Sequence, residues 1–359
     1  MYRMLRRLSL STALLSVFAL LLAACGTPAA TTTSTKGPFT IGISNGFVGS
    51  EWRTQMLQDL QAANAEYMKA GLTKELVIES ADVDAQGQIQ QMRNLINKGV
   101  NAIIINPNSQ TALNAVIKEA KAAGIVVIAI DQEITAPEAI NVVIDQTEWA
   151  RQSAKWLAET LKGTGNVVIV NGIAGHPANE ARYNGVKEVF AQYPNIKVAN
   201  VANANWDQAT GQQVMSNLLA SQPNIDGVWT QDGMAQGTLQ AVVAANPAKW
   251  PVMVGEARAG YMQLWNTVRQ TRPDFNSFGV INPPAVAVSG MRIALELLQG
   301  RQFKDGTLKG PTNNSVYVPI PGVVSPENFA AEFEKIKSQP ASYVVDGQIT
   351  AAEAAAYFK

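Results

Sequence analysis

From Phe39 onward the chain alternates short apolar, β-rich runs with longer segments of helical periodicity, and this alternation restricts the fold more than any other feature. The runs are F-T-I-G-I-S, L-V-I-E-S-A, A-I-I-I-N, V-V-I-A-I-D and N-V-V-I-D, then N-V-V-I-V-N, G-V-W-T-Q-D, V-M-V-G-E and S-F-G-V-I-N. Between the first two, Trp52, Met56, Leu60, Ala63 and Tyr67 fall at helical spacing. Continuous apolar runs mark strands buried on both faces, and such strands belong to parallel sheets covered by helices. The series restarts after Asp145, near the middle of the 359 residues, so two similar α/β lobes are expected in place of one long sheet. The expected fold class is α/β, with two doubly wound parallel-sheet lobes.

The first 24 residues do not belong to that pattern. M-Y-R-M-L-R-R is cationic, L-S-L-S-T-A-L-L-S-V-F-A-L-L-L is a short apolar stretch, and L-A-A-C follows at Leu22 to Cys25. This is the form of a secretory leader, set aside from fold reasoning. The tetrad resembles the bacterial lipobox, in which the Cys becomes the lipid-modified first residue of the mature chain; Cys25 is also the single cysteine of the sequence. An ordinary leader with a chance Cys is the alternative, and a retained span is disfavoured because the apolar stretch is short. Residues 25–37 then form a Thr/Ser/Ala/Gly/Pro tether without apolar periodicity. With one cysteine, internal disulfides are excluded and a large core must supply stability.

Charge and motifs exclude several function classes. Apolar residues make up 47% and charged residues 16% of the chain. Without residues 1–24, 25 basic and 28 acidic residues remain, which gives no reason to expect a nucleic-acid surface. There is no G-x-x-x-x-G-K-[ST], no G-x-G-x-x-G after a strand and no G-x-S-x-G. His176 is the lone histidine and lacks a Cys or second His with which to share a metal. D-V-D-A-Q-G at Asp82 to Gly87 opens like a calcium loop, but Arg93 occupies the twelfth position, so it reads as the approach to a helix. Neither a cofactor nor a metal is expected.

The carboxyl ends of the runs carry the functional signal. They present Ser44-Asn45, Asn106, Asp131, Asp145, Asn171, Gln231-Asp232, Glu256 and Asn282. Doubly wound sheets bind ligands beyond these ends. Asn and Asp also cap helices and form turns, so each residue alone has a structural alternative; eight together point to a polar cleft. A cleft with Asp, Asn, Arg and Trp but no nucleophile suits a neutral polyhydroxyl ligand. Carboxylates accept from hydroxyls, guanidinium groups donate in a fork, and an aromatic face covers the C–H side of a sugar ring. Paired carboxylates keep a glycosidase open as an alternative.

The motifs G-I-S-N-G-F-V-G-S-E-W-R, I-I-I-N-P-N-S-Q-T-A-L, V-V-I-A-I-D-Q, G-I-A-G-H-P-A-N-E-A-R-Y-N-G, W-T-Q-D-G-M-A-Q-G and V-I-N-P-P resemble those of the type I periplasmic sugar-binding proteins, closest to the ribose and galactofuranose branch. The resemblance covers about Phe39 to Gly300. It implies that Trp52 stacks on one face of a sugar and Trp206 closes the other, with Arg53 beside Trp52 and Glu51 in a place often aromatic in ribose binders. It implies that Asn106 and Asp131 take ring hydroxyls in the first lobe, with Gln132 where an Arg often stands. In the second lobe it implies roles for Arg182, Asp232 and Glu256, with Asn282 at a hinge crossing. Ser44, Asp145 and Asn179 complete the candidate set, and Cys25 is the candidate lipidation site. Two structural alternatives remain: Trp52 shares a stripe with Met56 and Leu60, and Trp206 could cover a lobe edge. Arg53 and Arg182 are placed in first helical turns, where the dipole disfavours a cation, which favours a functional role.

The resulting expectation is a three-crossing hinge, near Asp145, Asn282 and N-N-S-V-Y-V-P, between lobe one (38–144 plus 283–316) and lobe two (145–282 plus 317–359). The chain is expected to be a lipid-anchored, extracytoplasmic monomer that delivers a monosaccharide or similar polyol to an ABC permease. Alternatives are a lipid-anchored sugar-processing enzyme, a sensor component that presents its ligand, and a sugar-responsive repressor, which would need an N-terminal helix-turn-helix.

Overall fold

A computed structural model describes residues 37–222 and 224–359. The leader at 1–24, the candidate lipidation site Cys25 and nearly all of the tether lie outside the described residues. The first half of the body runs β1 (Ile41–Asn45), α1 (Glu51–Lys69), β2 (Val77–Ser80), α2 (Ala85–Asn97), β3 (Ala102–Asn106), α3 (Asn114–Ala122), β4 (Val126–Ile130) and β5 (Ile140–Val143). The second runs α4 (Gln146–Thr160), β6 (Thr164–Asn171), α5 (Pro177–Phe190), β7 (Asn195–Asn203), α6 (Gln208–Ser221), β8 (Gly227–Thr230), α7 (Ala235–Ala245), β9 (Val252–Val254), α8 (Ala259–Thr271) and β10 (Ser277–Val280). The tail adds α9 (Val286–Leu298), β11 (Ser315–Tyr317), β12 (Val323–Val324), α10 (Phe329–Ile336) and α11 (Ala351–Ala356).

Two six-stranded sheets result, in the orders β11-β5-β4-β3-β1-β2 and β12-β10-β9-β8-β6-β7. Apart from their last strands the two orders are the same doubly wound pattern, so the restart after Asp145 marks a second lobe. Pairing is parallel except at β10–β12. The apolar runs account for the layers: Ile103, Ile104 and Ile105 are all fully buried because helices cover both faces of β3. Each such side chain contributes roughly 1.5–3 kcal/mol on burial. Trp149 and Trp229 fill the second lobe and satisfy their indole N–H groups on the Val280 carbonyl (3.2 Å) and Ser153 Oγ (3.0 Å). Asp84 caps α2 through the Gly87 amide, so D-V-D-A-Q-G is the helix approach.

The strand β7 is not evident in the sequence. N-I-K-V-A-N-V-A-N is mostly exposed, lies at the edge of the second sheet, and pairs only with β6. One-sided burial removes the continuous apolar run that marks the other strands.

The chain passes between the lobes at Asp145, at Asn282 and between β11 and β12, and the tail makes a fourth passage. Residues 343–345 first pair with the second lobe, where Val345 N donates to Ala257 O and Ala259 N to Tyr343 O, both at 2.8 Å. The strap then meets the first lobe. Asp346 accepts from Ala285 N (2.9 Å), Ile349 N donates to Ser289 Oγ (3.2 Å), and α11 packs on α9. Phe358 stacks on Phe303 with centroids 4.4 Å apart. The assignment of 317–359 to lobe two therefore needs correction: the last turn of the chain belongs with lobe one, because α9 leaves an apolar stripe that α11 covers.

The strap also carries a carboxyl pair. The Asp59 carboxyl lies against Asp346, and its Oδ2 is buried without a donor of its own. A shared proton satisfies both groups, and burial together with the neighbouring carboxylate pushes Asp59 up to about 7. The folded chain thus holds a proton that the unfolded chain releases near pH 4, so stability falls as pH rises from about 4 to about 7. Asp59→Asn, which donates at every pH, is expected to flatten that fall and to melt above the unmodified chain at pH 8. A melting-temperature difference that stays constant from pH 4.5 to 8 would refute the shared proton.

Candidate functional site

The ends of β1, β3 and β4 from one lobe, and of β6 and β8 from the other, meet around a cavity of about 580 Å³. After β1 the chain turns through Gly46–Ser50 into α1, and Glu51, Trp52 and Arg53 all line this cavity. Arg53 Nη1 donates to Asn45 Oδ1 (3.0 Å) and to the Asn106 carbonyl (3.4 Å), with the guanidinium 5.8 Å from the Phe47 ring centroid. Burial pulls Arg53 down to about 10, and Asp131 opposes that shift. Trp52 is 6% exposed; its indole N–H bonds the Asn282 carbonyl at 2.9 Å, so it lines the cavity and also ties α1 to a crossing.

Asp131 follows β4 with φ 68, the left-handed region that Asp tolerates better than most residues. Its carboxyl is pushed up by burial, while Arg53 and Arg182 from opposite lobes hold it down. Arg182 is buried in the second turn of α5, one turn later than the sequence suggested, so the dipole penalty does not apply to it. Its Nη1 pairs with Asp232 Oδ1 at 2.5 Å and reaches Gln231 Oε1 at 3.3 Å. Its Nε donates to Gln146 Oε1 at 2.8 Å, and the guanidinium lies 4.2 Å from the Trp149 ring centroid. Asn282 Nδ2 donates to the other Asp232 oxygen at 3.1 Å.

Trp206 forms the facing wall. Its N–H donates to Gln231 Oε1 at 2.8 Å, and its ring lies over Gly172, where a Cβ would sit 2.2 Å from the indole. His176 meets Trp206 edge to face at 4.7 Å. Burial, with Arg53 and Arg182 adding to it, lowers His176 to about 3, so the ring is neutral at any ordinary pH; its Nδ1 has no partner among the described residues. At the rim Glu51 reaches across to Arg258 Nη1 at 2.5 Å, and Arg258 Nε bonds Glu256 Oε2 at 3.1 Å.

The structure thus brings Glu51, Trp52, Arg53, Asp131, Arg182, Trp206, Asp232 and Asn282 around one cavity. Six other candidates stand behind it. Ser44 Oγ bonds Gln91 (2.8 Å), and Asn106 Oδ1 accepts from Gln132 Nε2 (2.8 Å), which also bonds the Pro107 carbonyl. Asn179 Oδ1 accepts from Gly172 N and Gln231 Nε2, both at 2.8 Å. Glu256 takes the Gly233 and Gln236 amides at the start of α7 and Gln208 Nε2 at 2.9 Å. Asp145 caps α4 through the Glu148 amide and lines a separate chamber of about 110 Å³. Five of the six answer the same need, since dry strand ends leave backbone and amide groups that require partners, and Asp145 serves as a helix cap. Arg258, Phe47 and Asn108 line the cavity without having been singled out, and Gln146 and Gln231 organise its floor. The G-E-A-R turn held the signal for Arg258, two residues beyond Glu256. Among the described residues no group of three or more His, Cys, Asp or Glu is placed to hold a metal.

Comparison with known proteins agrees with this architecture. The periplasmic binding protein domain profile matches residues 41–302. The xylitol-binding protein of Mycolicibacterium smegmatis is 33% identical over 257 residues, 70% of this chain and 72% of the relative. An ABC transporter solute-binding protein from Thermobispora bispora superposes with a TM-score of 0.75 at 26% identity, covering 88% of this chain and 92% of that one. The periplasmic binding component of an arabinose ABC transporter from Shewanella sp. ANA-3, bound to L-arabinofuranose, gives 0.71 at 27%, covering 84% and 96%. The chain belongs to the periplasmic binding protein family, as an extracytoplasmic solute-binding protein and not an enzyme.

Proposed function

We propose that the chain captures a neutral monosaccharide or a polyol between its lobes and delivers it to an ABC permease, as a monomer held to the membrane by lipid on Cys25. The observation that carries the ligand class is one cavity lined by Asp131, by Arg53 from one lobe and Arg182 from the other, and by Trp52 and Trp206. Asp131 can accept from two hydroxyls, the free guanidinium edges donate, and the indoles cover C–H faces. Three Arg and four acidic side chains line the cavity, which disfavours an anionic ligand. Hydrogen bonds to charged groups contribute roughly 1.5–3 kcal/mol each, so three or four supply about 4.5–12 kcal/mol, and burial of the C–H faces on the indoles must help meet ordering costs for the approximately 8 kcal/mol of micromolar binding. Xylitol and arabinofuranose, named for two relatives, are both neutral polyhydroxyl compounds. Because the ligand touches both lobes, it favours the closed arrangement through differential affinity.

A thermal-shift panel of pentoses, hexoses, furanose sugars and polyols tests this reading. At a thousand times its dissociation constant a ligand adds about 4.1 kcal/mol of stability, a plain rise in melting temperature. Asp131→Ala and Trp206→Ala are each expected to weaken binding at least a hundred-fold with the fold intact. No shift with any panel member at millimolar concentration, or turnover of a glycoside, would overturn the proposal. Cys25→Ser is expected to abolish incorporation of a labelled fatty acid in cells; undiminished labelling would remove the anchor.

The neutral His176 makes a separate prediction. Affinity for the ligand is expected to show no inflection near pH 6.5, because the ring stays uncharged down to about pH 3. A calorimetric titration series from pH 8 to 5 that revealed such an inflection, lost in His176→Gln, would contradict this environment.

A further inference from the structure

Gln146 is the first residue of α4, immediately after the crossing at Asp145, and is 7% exposed. It does not line the main cavity; it lines the small chamber behind it, a space that shares Asp131 and Ala178 with the main cavity. Its amide is fully committed across the two lobes. Oε1 accepts from Arg182 Nε (2.8 Å) in lobe two, while Nε2 donates to the Asp131 carbonyl (3.1 Å) in lobe one and approaches Asn282 Oδ1 at 3.5 Å on the second crossing.

Those three partners are the groups whose orientation defines the cleft. The Asp131 backbone is in the left-handed region, and Gln146 holds its carbonyl. Arg182 has its Nε on Gln146 and its Nη1 on Asp232 and Gln231, which leaves Nη2 as the edge available to a ligand. Asn282 holds the second oxygen of Asp232. The amide needs its oxygen toward Arg182 and its nitrogen toward Asp131; at neutral pH no other side chain of this length offers an acceptor and a donor in that order.

We propose that Gln146 is a positioning residue for ligand binding, locking the Asp131 carboxyl of one lobe and the Arg182 guanidinium of the other into the geometry that a ligand meets. The inference rests on the sugar-binding reading, and its action is through the Asp131 backbone and the Arg182 side chain and not through contact with the ligand.

Two variants of the full chain separate this role from a structural one. Gln146→Leu removes both bonds, and the dissociation constant is expected to rise about ten-fold or more. Gln146→Glu keeps the acceptor for Arg182 and loses the donor to Asp131 unless its carboxyl is protonated. Beside the Arg182 guanidinium that carboxyl stays ionised at pH 7 to 8, so Gln146→Glu is expected to raise the dissociation constant while its melting temperature stays unchanged. The probe is whichever of xylitol, D-ribose, L-arabinose and D-galactose binds the unmodified chain most tightly. An unchanged dissociation constant in Gln146→Leu overturns the proposal. So does a dissociation constant in Gln146→Glu equal to that of the unmodified chain, which decides the matter alone if Gln146→Leu fails to fold. Failure of the unmodified chain to bind any of the four would count against the ligand class, and hydrogen exchange without ligand then tests the lock itself. Faster exchange around Asp131 and Gln132 in Gln146→Glu at pH 8, at unchanged melting temperature, supports it, and unaltered exchange there overturns it.

Discussion

The buried pair of Arg182 and Asp232 is the interaction on which the rest of the cleft depends. Their side chains are only 3% and 13% exposed. A charge in that position is tolerable only with its partner and with its remaining protons and lone pairs bonded; removing one member of such a pair costs about 3–5 kcal/mol. The chain meets the requirement by surrounding the pair with amides: Gln146 on Nε, Gln231 on Nη1, Asn282 on the far carboxylate oxygen. Trp149 covers the guanidinium face at 4.2 Å. Gln231 extends the same network to the Trp206 indole, and Asn282 extends it to Trp52. Both aromatic walls are therefore positioned by groups whose first task is to keep one ion pair satisfied.

This dependence explains how much of the site the sequence discloses. A strand end that must be polar is visible in a string of letters, and Asp131, Asp232 and Asn282 stand where apolar runs stop. Which polar residue faces the ligand and which supports it depends on side-chain direction at the last residue of each strand. Asn106 ends β3 beside Asp131 but spends its oxygen on Gln132, while Asp131, one residue past β4, turns outward through its left-handed backbone. A single peptide conformation decides between the two roles. Arg258 and Gln146 escaped notice for a different reason: each depends on a partner more than a hundred residues away or across a lobe boundary, at Glu51 and at Arg182 and Asp131.

The fold was legible to a greater degree, because burial on both faces prints a continuous apolar run. Eight of the strands follow from such runs, β2 is a half-buried edge strand that still opens on an apolar L-V-I, and the order shared by the two lobes follows from the same βα alternation. The limits are equally physical. The edge strand β7 keeps one face in water and so reads as a loop. The strap at 343–349 forms no strand of its own and is fixed by backbone bonds to Ala257 and Ala259, by Asp346 on Ala285 and by Gln55, which pairs with both the amide (2.9 Å) and the carbonyl (3.0 Å) of Val344. Local pattern carries no record of bonds formed at that separation.

The first turn of α1 brings these strands of argument together. Consecutive helical residues point about 100° apart, so Glu51, Trp52 and Arg53 must face three directions. Glu51 reaches lobe two at Arg258, Trp52 reaches the crossing at Asn282, and Arg53 reaches the floor of lobe one at Asn45. Continuing from Glu51 at every fourth residue, Gln55 meets Val344 and Asp59 meets Asp346, so one face of the helix is a seam against lobe two and the strap. The cation at Arg53 opposes the helix dipole and is further penalised by burial, a cost that Asp131 and the bonds to Asn45 and the Asn106 carbonyl offset in part. Ligand wall and interlobe seam thus share one rigid element. Arg53, on the cavity side, and Gln55 and Asp59, on the seam, are held by the same helix, so the geometry of one is tied to the geometry of the other.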